Sequence, residues 1–218
     1  MTNELPTLAI LGGTGKEGPG LALRWASAGY QVFIGSRLLE KAQQTATSLN
    51  KELYFDSVKG MENSQAARKA DICILTVVQS AHQAALAGLK DALQGKILVD
   101  ATARVDFRDP KPPTAPAAAE IAQKILGDNV RVVAAFQNVP AHALRRNLGE
   151  ILATQVIACS DDEQAADEVI DLAQGGGMKA YYGGRLANAI VVEGLVSVLI
   201  SMNKHYGIKT AGIAVTGL

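Results

Sequence analysis

Cysteine, histidine, net charge and long apolar runs are all scarce in this chain of 218 residues. The two cysteines, Cys73 and Cys159, stand 86 positions apart, and the three histidines form no C-x-x-C, H-E-x-x-H or Cys/His cluster with them. Zinc and iron–sulfur sites are therefore disfavoured and no metal ligand is expected. Both thiols lie in or at the end of apolar runs and read as small packing residues. Twenty-one basic residues balance twenty-one acidic ones. A grip on nucleic acid needs a basic excess to neutralise phosphates, so that partner is not expected. The longest apolar stretch, 187–202, is shorter than the ~20 residues that cross a bilayer and carries Glu193, so no membrane partner is expected either. Residues 1–6 lack the basic-then-apolar pattern of a secretory signal. The expectation is a cytoplasmic, soluble protein.

What is present is ordinary for a folded chain: 48% hydrophobic residues, 19% charged, 21 Gly and 7 Pro. The length suits one to two domains and needs no disulfide or metal staple, because a chain of this size buries about 70% of its unfolded surface. Short runs apolar on both faces alternate with longer amphipathic ones. Strands are expected at 7–11, 31–34, 71–78, 96–99 and 130–135, and a short one at 53–55. Helices are expected at 19–28, 38–49, 61–69, 80–93 and 117–126. Strands at 156–159 and 178–182 flank a further helix at 161–174. This alternation predicts an α/β fold: a Rossmann-like, doubly wound, mostly parallel sheet with a C-terminal helical extension. Residues 1–182 read as a dinucleotide-binding domain. Residues 183–218 read as a C-terminal helix and tail that complete the substrate cleft and a dimer contact.

Two segments stand apart. Asp109-Pro110, Pro112-Pro113 and Pro116 forbid helix or inner strand across 104–116, a loop that leaves the end of a strand, where ligands sit in open α/β sheets. The last long helix, about 184–204, is apolar over most of its circumference, with a narrow polar stripe of Glu193, Ser197 and Ser201. Such a helix must be covered on more than one side. Burial within one subunit and contact with a second copy, a homodimer, both satisfy that.

Chemistry is carried first by Gly13, Gly15 and Gly18, a G-x-G-x-x-G that follows the first strand and opens the first helix. The first glycine permits a tight turn, the second lets backbone approach a pyrophosphate, and the third lets helix and strand pack closely. The helix N-terminus then offers free N–H groups and a partial positive charge to phosphate. The second strand ends in Gly35-Ser36-Arg37, where an NAD-binding protein usually places an acid for the ribose hydroxyls. Ser36 and Arg37 bond a 2′-phosphate, and Lys41, four residues on, stands on the same side of the following helix. The dinucleotide expected is NADP.

These motifs, with Ala70-Asp71-Ile72, Leu75-Thr76-Val77, Ala118-Ala119-Glu120 and Val139-Pro140-Ala141, resemble the NADPH:F420 oxidoreductase family, also called F420-dependent NADP reductases. The resemblance implies a homo-oligomeric oxidoreductase that transfers a hydride between NADP(H) and the deazaflavin coenzyme F420. It places NADP contacts on Thr14, Gly15, Lys16 and Glu17 at the phosphate turn, on Ser36, Arg37 and Lys41 at the 2′-phosphate, and on Val77, Ala103 and Ala141 along the rest. Asn138 and Val139 are the candidates on the deazaflavin side. No side chain need act as nucleophile, since the cofactors own the chemistry. Where the family tends to have Pro and an aromatic residue after Thr76-Val77, this chain has Val78 and Gln79, and Gln137-Asn138 stands where the family often has His. An NADPH-dependent reductase of an imine, carbonyl or metal chelate is the alternative. His82 and His142 flank the expected cleft, where a proton relay and a satisfied histidine are the two readings.

Overall fold

A computed structural model describes residues 5–218. Six strands, β1 (Leu8–Leu11), β2 (Val32–Ser36), β3 (Val58–Glu62), β4 (Ile72–Leu75), β5 (Ile97–Asp100) and β6 (Arg131–Ala134), form one sheet in the order β3-β2-β1-β4-β5-β6. Every pairing in it is parallel. The side-chain period of two divides each strand between two cores. Leu8, Ile10, Ile34, Ile74 and Val99 face α1 (Gly18–Ser27), α2 (Leu39–Leu53) and α7 (Glu163–Gly175). Ala9, Leu11, Phe33, Leu75 and Leu98 face α3 (Asn63–Lys69), α4 (His82–Leu89), α5 (Ala118–Leu126) and α8 (Ala189–Tyr206). Because both faces are covered, the strands read as continuous apolar runs.

A one-turn helix, α6 (Ala141–Leu144), follows the end of β6, and β7 (Val156–Ala158) and β8 (Ala180–Tyr182) form a parallel pair beyond it. A single antiparallel bridge between Ala134 and Cys159 joins that pair to the main sheet. Leu186, Ala189 and Val192 belong to the core beneath the sheet, so the C-terminal segment packs into the same body as the strands.

One expectation needs correction. Residues 53–55 are not a strand. Leu53 ends α2, Tyr54 turns left-handed (φ 64), and the strand comes at Val58–Glu62. Gly60 hid it. A side chain at this position would collide with the backbone of Ala42, so the strand carries a glycine that argues against strand by composition. In α8 most of the polar stripe faces the protein, and part of the apolar flank does not. Glu193 and Ser197 face inward and are buried, at 1% and 3% exposure, whereas Val191 and Val198 are 66% and 51% exposed. Apolar composition alone would let residues 186–206 cross a bilayer, but Glu193 and Ser197 are docked on the protein, and only Ser201 of the polar stripe is exposed.

Candidate functional site

Strand order reverses between β1 and β4, and the crevice outside their carboxyl ends is where such sheets bind ligands. Thr76 N–H and Oγ1 both donate to Leu11 C=O, at 3.0 and 3.3 Å, tying the two strand ends together. The glycine turn runs directly out of β1. Gly13 N–H donates to Gly35 C=O (2.9 Å), and Gly12 N–H donates to Asn63 Oδ1 (3.0 Å). A Cβ on Gly35 would lie 2.6 Å from that same Asn63 oxygen. The missing acid at the end of β2 thus has a structural cause, because Asn63 occupies the space that a side chain on residue 35 needs. Asn63, the first residue of α3, thus holds the turn, a role that no local pattern in the sequence marks.

The glycines of the turn separate into two kinds. A Cβ on Gly18 would stand 2.6 Å from Gly13 Cα and O, so this glycine serves the fold. A Cβ on Gly15 would meet only Gly12 O, at 3.9 Å. Nothing in the chain itself demands glycine there, which leaves the approach of an outside group as its reason. Among the described residues, no protein acceptor takes the backbone N–H of Thr14, Gly15, Lys16, Glu17 or Gly18. Unengaged amides at the start of a ten-residue helix form an anion cradle.

Beside the cradle, Ser36 ends β2 and its Oγ accepts Leu38 N–H (3.2 Å). Arg37 and Lys41 are exposed and pair with no carboxylate among the described residues. The helix begins at Leu39, so Arg37 stands in the loop before α2 and not four residues up the same helix from Lys41. Both nonetheless lie at its positive end, where unpaired cations are unfavourable unless an anion joins them.

The opposite side of the crevice is built from side chains. His82, at the start of α4, and Asp100, at the end of β5, are buried together with Nε2 and Oδ2 2.6 Å apart. His82 is therefore a satisfied interior histidine and does not open on the cleft; His142 is exposed on α6. Asp100 also accepts Thr102 N–H at Oδ1 (3.0 Å), and its C=O accepts Gln137 Nε2 (3.2 Å). Two atoms of this network, Thr102 Oγ1 and Gln137 Oε1, are buried without any partner. Buried polar groups are rarely left so, and a ligand group is one way to complete them. Phe136 turns the chain out of β6 in the left-handed region (φ 72), held edge-on by Trp25 with ring centres 5.6 Å apart. A bulky residue in that region is strained, and such strain clusters at ligand sites.

The remaining expected contacts are spread along the same edge. Val77 touches the glycine turn: its Cγ1 would lie 2.5 Å from a Cβ on Gly12. Ala103 and Ala141 are half-buried after β5 and at the start of α6. Asn138 does not offer its N–H groups to the cleft. It is 1% exposed and its Nδ2 donates to Gln155 C=O (2.7 Å), while Val139 is buried. The proline loop hangs from α8. Glu193 Oε1 accepts Arg104 N–H (2.7 Å) and Nε–H (2.8 Å), and Oε2 accepts Ala118 N–H (3.0 Å) at the head of α5. That hub was missed, because no local pattern joins residues 89 positions apart. Burial pushes the Cys73 thiol up to about 12 and that of Cys159 up to about 11, in keeping with packing roles.

Sheet order, switch-point crevice and glycine turn define a Rossmann-like α/β protein. The model of the family "NADP oxidoreductase coenzyme F420-dependent" matches residues 7–104. Over 97% of its length the chain is 40% identical to the F420-dependent NADP reductase of Methanothermobacter marburgensis, covering 98% of that protein. It is 37% identical to the enzyme of the same name from Methanocaldococcus jannaschii, again over 97% of this chain and 98% of the relative. The chain belongs to the F420-dependent NADP reductase family. A solved structure of a candidate F420-dependent NADP-reductase from Arthrobacter sp. FB24 shares the fold, with a TM-score of 0.81 and 24% identity across 98% of this chain and all of that one.

Proposed function

We propose that the chain is an oxidoreductase that transfers a hydride between NADP(H) and coenzyme F420 at the carboxyl edge of the sheet. The full-length likeness to named F420-dependent NADP reductases carries this reading. The amide cradle of residues 14–18, the orphaned Thr102 and Gln137 oxygens and the unpaired Arg37 and Lys41 fit the dinucleotide. Thr14, Gly15, Lys16 and Glu17 hold the diphosphate, and Ser36, Arg37 and Lys41 hold the 2′-phosphate. Val77, Ala103 and Ala141 line the remainder. The Thr102 and Gln137 oxygens are suited to a carboxamide N–H on the nicotinamide side.

When both are bound, the nicotinamide and the deazaflavin supply the hydride donor and acceptor. The protein contributes positioning. Held rings and excluded water account for roughly 7–11 kcal/mol of barrier in well-oriented reactions. The Asp100 network and the Phe136 turn make that edge rigid, and Glu193 fixes the loop above it. Residues 183–218 close this side of the cleft and present a dimer contact. Val191, Val198, Met202 and Tyr206 form one exposed stripe along the outer face of α8, and a second copy of the chain covers it. Two free, buried thiols accord with a cytoplasmic setting.

Purified protein mixed with NADPH and oxidised F420 should consume both, read as loss of the oxidised deazaflavin absorbance. Inertness toward F420 in both directions, with NADPH oxidised by an imine or carbonyl compound, would replace this reading with a small-substrate reductase on the same fold.

A further inference from the structure

The phosphate cradle holds a chemical conflict, because an acid sits in a turn whose free amides await an anion. Glu17 is the last residue before α1, and its C=O accepts the N–H of Gly20 (3.0 Å) and of Leu21 (3.2 Å). Its carboxyl group, by contrast, takes part in no hydrogen bond among the described residues: Oε1 is buried without a partner, although the residue as a whole is partly exposed. Among the described residues no cation compensates it. Lys16 beside it is exposed to solvent, Arg145, which reaches α1 at Gly20, is paired with Glu52, and His82 is closed on Asp100. An unpaired carboxylate in such a place is costly enough that the group keeps its proton instead. Burial alone, with no charged neighbour contributing, pushes this carboxyl up to about 8.

We propose that Glu17 stands in the dinucleotide turn as a neutral acid, and that NADP binding holds a proton there, so that losing this proton weakens binding. The inference rests on the dinucleotide reading of the preceding subsection. A neutral carboxyl leaves the amides of residues 14–18 free for phosphate and adds no repulsion; an ionised one sets a third negative charge against the diphosphate. Linkage makes the effect reciprocal, since bound nucleotide must also make Glu17 harder to ionise. The same group shapes the stability of the free protein. Its folded value lies above its unfolded one, so its contribution is complete below about 4.5 and is lost as pH rises through about 8.

NADP affinity is measured by calorimetry from pH 6.5 to 9.5, in two buffers of different ionisation heat, for the wild type and Glu17→Gln. The wild type should lose affinity by up to tenfold per pH unit above about 8 and take up about three-quarters of a proton per NADP bound at pH 8.5, rising toward one at pH 9.5. Glu17→Gln should show neither. The 2′-phosphate titrates near pH 6, below this window, and any lysine contribution is common to both proteins. Should Glu17→Gln fail to fold, Glu17→Ala takes its place as the variant against which the lysine contribution is subtracted. Constant affinity from pH 7 to 9.5, or the same fall in Glu17→Gln, would overturn the inference alone. Failure to bind NADP at pH 7 would overturn the dinucleotide reading as well.

Discussion

The two rims of the crevice are made of different material. On the β1–β2 side the contacts on offer are main-chain amides, unengaged from Thr14 to Gly18, with two solvent-facing cations beside them. On the β5–β6 side the contacts on the page are made by side chains: His82 on Asp100, Gln137 on the Asp100 carbonyl, Asn138 on the Gln155 carbonyl, and Glu193 on Arg104 and the Ala118 amide. A rim of amides needs small residues and tolerates little else. A rim of side chains needs partners from distant parts of the chain. The first should fail through loss of binding and the second through loss of structure.

The largest effect expected is at the Glu193 hub. Glu193→Ala strips four hydrogen bonds from the loop and from the head of α5, Arg104 Nη2–H to Oε2 (3.4 Å) being the fourth, and leaves the mostly covered Arg104 guanidinium without its counter-ion. Removing one partner of a buried pair costs roughly 3–5 kcal/mol. Denaturant unfolding should show that loss, with the proline loop opening to proteolysis. Val198→Glu, on the opposite face of the same helix, should leave the fold intact and shift the protein from dimer to monomer in sedimentation. Equal stability losses in the two variants would mean that the faces of α8 are not specialised.

Those faces show where local sequence stops being informative. A helical stripe of Glu193, Ser197 and Ser201 looks like a solvent face because charge is ordinarily outside. Here the charge is drawn in by Arg104, a partner that only the folded loop brings near. The Asp100 network was hidden in the same way, since neither His82 nor Asp100 carries a mark of the other. The glycine turn, by contrast, was legible from residues 13–18 alone, because a demand for backbone space can be met by few residue types. The parallel sheet was equally legible, apart from β3, where the close pass of α2 required Gly60.

The next largest contrast lies within the amide rim. Gly18→Ala places a methyl group 2.6 Å from the Gly13 backbone. Overpacking of this kind costs about 1–3 kcal/mol, so both melting temperature and NADP affinity should fall. Gly15→Ala meets no protein atom nearer than 3.9 Å. Its melting temperature should match the wild type, while NADP affinity drops at least tenfold. A Gly15→Ala protein that binds NADP normally would show that the diphosphate does not pass over this residue.

The smallest effects belong to the exposed cations, and they sharpen the comparison because they test charge without touching the fold. Arg37 and Lys41 pair with no carboxylate among the described residues, so truncating either should leave stability unchanged or slightly raised. A charged hydrogen bond contributes about 1.5–3 kcal/mol. Arg37→Ala should therefore raise the NADPH Michaelis constant about tenfold to a hundredfold, with the NADH constant hardly moved. Lys41 stands one helical turn further along and acts as a point charge without the guanidinium fork. Lys41→Ala should show the same selectivity at a few-fold. Raising the salt concentration should shrink the Lys41 effect more than the Arg37 effect, since screening weakens charge attraction more than a short directional bond. If both variants slow NADPH and NADH alike, the basic pair does not read the 2′-phosphate, and selectivity for NADP must come from Ser36 or from the far rim.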